Sequence, residues 1–195
     1  MERLDNTESR YGLVAVAMHW VLAVLLAGLA AVGLYMTSLP DTAFDTRKVW
    51  LTIYHKEFGI LALVLAMLRL AWNAGGVQPG LVGDDPEWQQ VAARFVHLCF
   101  YGLMFALPIT GWLMSSAAAI PVSFFGLFYL PDMIPPDEAT FRLLIGVHHW
   151  LAYTLLLLLA VHAGAALRHH FVSGDETLAR MLPGARPRQV TPTPR

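Results

Sequence analysis

Four long apolar segments, at about 13–36, 51–72, 91–115 and 143–168, dominate the sequence. Each reaches or approaches the ~20 apolar residues that a helix needs to cross the hydrocarbon core of a bilayer. Only 14% of the residues are charged, against roughly 25% in soluble domains. The sequence therefore predicts an all-α integral membrane protein, a bundle of four transmembrane helices.

Turn-forming residues separate these segments at 38–41, 73–76 and 131–137. We expect the bundle to occupy residues 13–172, after an N-terminal stretch at 1–12 and before a tail at 173–195. The tail is predicted to form a short helical turn from Asp175 to Arg180 and to be disordered at its proline-rich end. The first segment is not followed by an A-x-A-like cleavage site, so we expect it to remain as an anchor.

The basic residues predict the orientation of the bundle. If the N-terminus is cytoplasmic, nine of the 13 Lys and Arg residues lie on the cytoplasmic side. The other four, Arg47, Lys48, Lys56 and Arg142, lie on the opposite side. Both termini are therefore predicted to be cytoplasmic. The loop after the third segment, rich in aromatic residues from Phe124 to Tyr129, is predicted to lie at the outer membrane interface.

Charge and cysteine content exclude several classes of function. The net charge of -1 provides no basic surface for nucleic acid. The single cysteine, Cys99, rules out an internal disulfide and a cysteine-based zinc or iron–sulfur site. A bound metal must therefore use histidine. Six of the eight histidines lie within the apolar segments, and five of these are the candidate ligands: His19, His55, His97, His148 and His162.

The most informative spacing is that between His148 and His162. Fourteen residues on a helix bring the second side chain to within ~40° of the first, with a rise of ~21 Å. The two histidines thus share one helix face at two depths of the membrane. His149 is rotated by ~140° from that face and is interpreted as a neighbour at the rim.

Depth in the alternating helices then predicts which histidines can meet. His55 and His148 fall in the outer half of the bundle. His162 falls in the inner half, together with both His19 and His97. Spacing alone leaves open which of these two is the partner of His162.

Two layers with two imidazoles each suit two haem groups, because haem supplies four equatorial nitrogens and needs only axial ligands from the protein. Zinc is less compatible, because it requires three or four converging protein ligands. Two axial imidazoles leave no open position for oxygen. The pattern therefore favours electron transfer through two haems.

Small and basic residues lie where a macrocycle would need space or charge. Gly33 lies fourteen residues after His19 and returns to the same face. Further glycines lie at Gly59, Gly102, Gly111 and Gly164, although glycines are also common at ordinary membrane helix contacts. Arg69 and Arg168 are expected near the inner surface, either beside haem propionates or as snorkelling anchors. His169 and His170 follow at the boundary, as interfacial residues or as a proton relay beside a quinone.

Several motifs together carry a resemblance that covers about residues 10–183. They are Met18-His19-Trp20, Tyr54-His55 with Gly59, His97-Leu98 with Ala106-Leu107-Pro108 and Gly111, and His162-Ala163 with Ala165-Ala166-Leu167 and His169-His170. The chain resembles the bacterial cytochrome b561 family. That family is also similar to the cytochrome b subunits of membrane hydrogenases and formate dehydrogenases.

The resemblance implies a bacterial inner-membrane protein with two haems b. One haem would be held by His19 and His162, the other by His55 and His148, and His97 would line a quinone pocket. The chain resembles in length a free-standing relative that is a superoxide oxidase, which implies electron transfer from superoxide to ubiquinone. Arg69, Arg168, His97 and His169 are then candidates for quinone contacts or proton supply. Arg47, Lys48 and Lys56 could attract superoxide, an effect that Asp41, Asp45 and Glu57 partly cancel.

Two alternatives remain at this stage. The chain could be an electron-transfer subunit that docks on a periplasmic oxidoreductase or cytochrome c through its aromatic loop at about 120–136. It could also be a histidine-lined metal-ion transporter, which would bind metal loosely and show no porphyrin spectrum.

Overall fold

The structure, a computed structural model, describes residues 4–8, 10–40, 45–80 and 86–182. Four long helices account for most of them: α1 (Leu13–Ser38), α2 (Thr46–Gly75), α3 (Glu87–Ala117) and α4 (Glu138–Arg168). A π-helical turn, His169–Ser173, extends α4. All four helices are long and apolar enough to cross a membrane. The predicted four-helix membrane fold is confirmed.

The helices are longer than the apolar segments because polar residues continue them beyond the hydrocarbon core. Asp45 caps α2 by accepting hydrogen bonds from the backbone N–H groups of Arg47 and Lys48. Asp137 caps α4 in the same way at Thr140, and the hydrogen bonds from Thr140 lower the pKa of Asp137. The prediction of a turn beginning at Asn73 was wrong, because α2 continues to Gly75.

Each helix packs against the next in the sequence, and α1 and α4 meet over a smaller surface. Two buried clusters hold the bundle together. One contains Leu22, Ala66 and Met104, and the other contains Leu103, Leu107 and Leu155. Large apolar side chains also cover the outside of the bundle: Val24 is 69% exposed and Leu157 66%. An apolar exterior of this kind suits contact with lipid.

The aromatic segment after α3 forms a β-hairpin, which the sequence analysis did not predict. Strands β1 (Val122–Phe124) and β2 (Phe128–Leu130) pair antiparallel, with Ser123 opposite Tyr129. Phe125 and Gly126 form the turn with φ of 50° and 72°. Phe125 lies against Phe58 of α2, with ring centroids 5.2 Å apart. The hairpin is therefore folded back onto α2.

Hydrogen bonds join three chain segments at one end of the bundle: the residues before α1, those after α2 and those after α4. Gly80 donates its N–H to the carbonyl of Glu8 at 3.1 Å, and its own carbonyl accepts from Arg180 at 3.0 Å. Trp20 Nε1 donates to the carbonyl of Met181 at 2.6 Å. The predicted helical turn lies later than expected, as a 3₁₀ helix at Ala179–Met181. The predicted disordered end of the tail, at 183–195, falls outside the described residues.

Candidate haem sites

Each long helix carries two residues of the site fourteen positions apart, and together they form two layers. The glycine layer contains His55, His148, Gly33 and Gly111. The arginine layer contains His19, His162, His97 and Arg69. This spacing was predicted from the sequence for α1 and α4, but not for His55–Arg69 on α2 or His97–Gly111 on α3. The same fourteen-residue count could have found both.

In the glycine layer, two imidazoles face each other and glycine flanks each of them. The ring centroids of His55 and His148 are 6.3 Å apart. A Cβ built on Gly33 would lie 3.4 Å from Cε1 of His55, and one on Gly111 would lie 3.5 Å from Cε1 of His148. A methyl group at these glycines would be in van der Waals contact with the rings, and a side chain larger than alanine would press on them. Of the other glycines singled out from the sequence, Gly59, Gly102 and Gly164 have no such neighbour within 4 Å.

In the arginine layer, His162 is close to both of its candidate partners. Its ring centroid lies 6.2 Å from that of His19 and 5.5 Å from that of His97. Phe100 closes another side, at 5.3 Å. His19 and His162 are half-buried, whereas His97 is exposed. The burial of His19 favours it as the partner of His162.

Arg69 provides the positive charge of this layer. Its Nη2 lies 3.4 Å from Nδ1 of His19. One turn further along α2, Asn73 donates a hydrogen bond to the hydroxyl of Tyr101. Tyr11 lies near Arg69 and Arg180. Burial raises the pKa of the Tyr11 hydroxyl and outweighs the opposite effect of the two guanidinium groups, so the hydroxyl stays protonated at neutral pH.

Both layers fit a six-coordinate haem. Two imidazole nitrogens, each about 2 Å from one metal, lie about 4 Å apart across it, which places the ring centroids roughly 6 Å apart. Both histidine pairs meet this distance. Among the described residues, two buried side-chain nitrogens have no hydrogen-bond partner, Nδ1 of His55 and Nη1 of Arg69. A propionate is the type of group that a guanidinium such as that of Arg69 binds.

The remaining predicted site residues lie outside the two layers. Arg168 is exposed in the last turn of α4. His169 donates from Nδ1 to Oδ2 of Asp175 at 2.6 Å, and both side chains are mostly buried. His149 is exposed beside His148. His170 packs on Phe171, with ring centroids 4.8 Å apart.

Known proteins share this pattern over nearly the whole chain. The family model of prokaryotic cytochrome b561 matches residues 10–184. The chain belongs to the prokaryotic cytochrome b561 family. Cytochrome b561 homolog 2 of Escherichia coli strain K12 is 36% identical over 91% of this chain and 93% of the relative. Cytochrome b561 homolog 1 of the same organism is 29% identical over 90% of this chain and 98% of the relative.

A third relative has a name that describes an activity. The probable superoxide oxidase CybB of Yersinia pestis is 29% identical over 91% of this chain and 98% of the relative. Membership of the b561 family implies that the chain binds haem b and transfers electrons across a bacterial membrane. The predictions of a b-type cytochrome and of electron transfer are confirmed at this level.

Proposed function

We propose that this b561-family protein binds two haems b, oxidises superoxide at one side of the membrane and reduces ubiquinone near the other. His55 and His148 would hold the haem of the glycine layer. His19 and His162 would hold that of the arginine layer. The observation that carries the proposal is the pair of centroid distances, 6.3 and 6.2 Å, in layers that are one fourteen-residue step apart on α4.

The reaction balances with one electron per superoxide. Two superoxide anions each lose one electron and become oxygen, while the quinone takes up two electrons and two protons. Each bound haem supplies a one-electron iron couple. Two histidines would hold each haem, which would leave no iron site open to oxygen.

The side of the glycine layer is proposed to receive the anion. Lys56, the neighbour of His55, is held by a hydrogen bond from Nζ to the carbonyl of Pro121 at 3.1 Å. Arg47 lies 3.9 Å from Asp45, and Arg142 pairs with Glu138 at 2.8 Å. Glu57 is only 6% exposed, so its carboxylate does not form part of the outer surface. Lys56 is therefore the basic residue best placed to guide an anion towards this layer.

The other end of the bundle offers a route for protons. His169 is held by Asp175, which orients its ring and leaves Nε2 for proton exchange. His97 and Arg69 belong to the arginine layer, next to His162 and His19. We propose that these residues, with Arg168, line the quinone site, where the arginines would contact the quinone and the histidines would supply its protons.

The hairpin supports a second candidate function, that of an electron-transfer subunit that docks on a periplasmic redox protein. Leu127 is 76% exposed and Tyr129 72%, and both lie on the hairpin. An exposed apolar surface of this kind is common at protein interfaces. It is equally suited to the membrane interface.

Optical difference spectra of the purified protein distinguish the two functions. Samples are reduced with dithionite or with superoxide, in each case with and without a ubiquinone analogue, and superoxide dismutase serves as the control. Haem reduction by superoxide and reoxidation by the quinone support the proposal. Haems that respond to dithionite but not to superoxide favour the docking subunit. A protein without haem refutes both functions.

A further inference from the structure

We propose that Thr110 of α3 is a positioning residue for His148. Its hydroxyl accepts a hydrogen bond from Nδ1 of His148 and so leaves Nε2 as the nitrogen that binds iron. The proposal rests on the proposed function, because it takes His148 as a haem ligand. It adds a residue that acts on the ligand without touching the haem.

The direction of this hydrogen bond follows from the proposed role of His148 as a haem ligand. Oγ1 lies 2.8 Å from the carbonyl of Ala106 and 2.9 Å from that of Leu107. Both carbonyls can only accept, and the carbonyl of Leu107 is also a hydrogen-bond acceptor for the His148 side chain. Nδ1 of His148 lies 3.1 Å from the same oxygen. If Nε2 of His148 binds iron, Nδ1 carries the ring proton, and the proposal takes the hydroxyl oxygen of Thr110 as its acceptor.

The local structure of α3 holds the hydroxyl in this position. The two bonds to carbonyls in the preceding turn fix the Thr110 side chain in one rotamer. Pro108 lies in the same turn, where it lacks an N–H for the helix. Gly111 leaves space beside the ring. A Cβ built on this glycine would lie 3.5 Å from Cε1 of His148, in van der Waals contact. Thr110 and Gly111 together fix where the imidazole lies.

The partner ligand in the same layer has no equivalent contact. Nδ1 of His55 is buried and has no hydrogen-bond partner among the described residues. In the arginine layer, Nδ1 of His19 faces the guanidinium of Arg69, which can only donate. A hydroxyl that accepts from Nδ1 therefore distinguishes His148 from these two ligands.

The hydrogen bond between Thr110 and His148 changes the electron density on the imidazole of His148. Donation from Nδ1–H places more negative charge on Nε2 and strengthens its bond to iron. Ferric iron gains more from this than ferrous iron, so the hydrogen bond lowers the midpoint potential of the glycine-layer haem. Its loss must raise that potential.

The test is a redox titration of the purified holoprotein, combined with electron paramagnetic resonance of its ferric low-spin signals. Thr110→Val removes the hydroxyl and keeps the shape. Thr110→Ser retains the hydroxyl and should restore the wild-type values. Thr154→Val is the matched control, because Thr154 bonds back to Trp150 in the same way on an exposed face of α4. Thr110→Ala replaces Thr110→Val if the latter does not accumulate in the membrane.

We expect Thr110→Val to weaken binding of ferric relative to ferrous iron about tenfold, which corresponds to a rise of about 59 mV in one centre. The other centre should keep its potential, and Thr154→Val should match the wild type. Unchanged potentials and g values without the hydroxyl would overturn the proposal, as would an equal shift in Thr154→Val. The ligand assignment is tested separately: if His148→Ala retains both haems, the proposed function fails first.

Discussion

Gly33 and Gly28 lie on the same helix but have different surroundings. A Cβ on Gly33 would contact His55 at 3.4 Å, whereas one on Gly28 would meet nothing within 4 Å. Gly33→Val should push the His55 ring out of line and reduce haem to roughly half, because each histidine pair is proposed to hold one haem. Gly28→Val should keep the full amount. The alkaline pyridine spectrum gives the amount of haem per protein in each variant. Equal amounts in Gly33→Val and Gly28→Val would refute a steric role of Gly33.

Some residues of the candidate site could be predicted from the sequence, and others could not. The fourteen-residue spacing identified His148 with His162 and placed Gly33, which does lie beside His55. It could not reveal Thr110, because a threonine in a membrane helix usually bonds back to its own backbone. The contact with His148 depends on how α3 and α4 pack, which no local pattern encodes.

At the scale of elements, the segment after α4 is held by a small set of polar contacts. Asp175 accepts hydrogen bonds from His169 and from the backbone of Thr177. Burial alone raises the pKa of Asp175, but the hydrogen bonds from Thr177 and His169 outweigh it and leave the pKa lowered. The carboxylate therefore stabilises this segment above pH 3.8, its ordinary pKa, and the contribution is lost as the pH falls through the lowered value.

Asp175→Asn should loosen this segment because it replaces a charged acceptor with a neutral one. A loss of about 1–2 kcal/mol corresponds to roughly 5–30-fold faster amide exchange. Hydrogen exchange of the peptide spanning 174–182, read by mass spectrometry, measures the effect. Asp132→Asn, in the loop after β2, is the control. Unchanged exchange in Asp175→Asn would show that other contacts hold the segment.

The elements themselves differ in how well the sequence predicts them. The four helices follow from apolar length, because backbone groups in lipid must be satisfied within the helix. Their ends were predicted too short, since the caps Asp45 and Asp137 continue each helix into water. The hairpin was missed because its aromatic residues fit an interfacial segment equally well. Its turn places Phe125 at φ 50°, a conformation that sequence patterns rarely assign to phenylalanine.

At the scale of the whole molecule, four membrane crossings place both termini on one side. The excess of basic residues predicts that this side is the cytoplasm. A green fluorescent protein fused after Arg195 should fluoresce, and alkaline phosphatase fused there should be inactive. Phosphatase inserted at Asp132, in the loop between β2 and α4, should be active. The reverse pattern would invert the orientation and place superoxide oxidation on the cytoplasmic side.

The two-layer arrangement makes haem stoichiometry the most direct measurement. Haem b is counted per chain in the wild type, in His148→Ala and in His149→Ala, where the last removes an exposed neighbour of the predicted ligand. Two haems in the wild type, about one in His148→Ala and two in His149→Ala are expected. A single haem in the wild type, or two haems in His148→Ala, would contradict the assignment of one haem to each histidine pair.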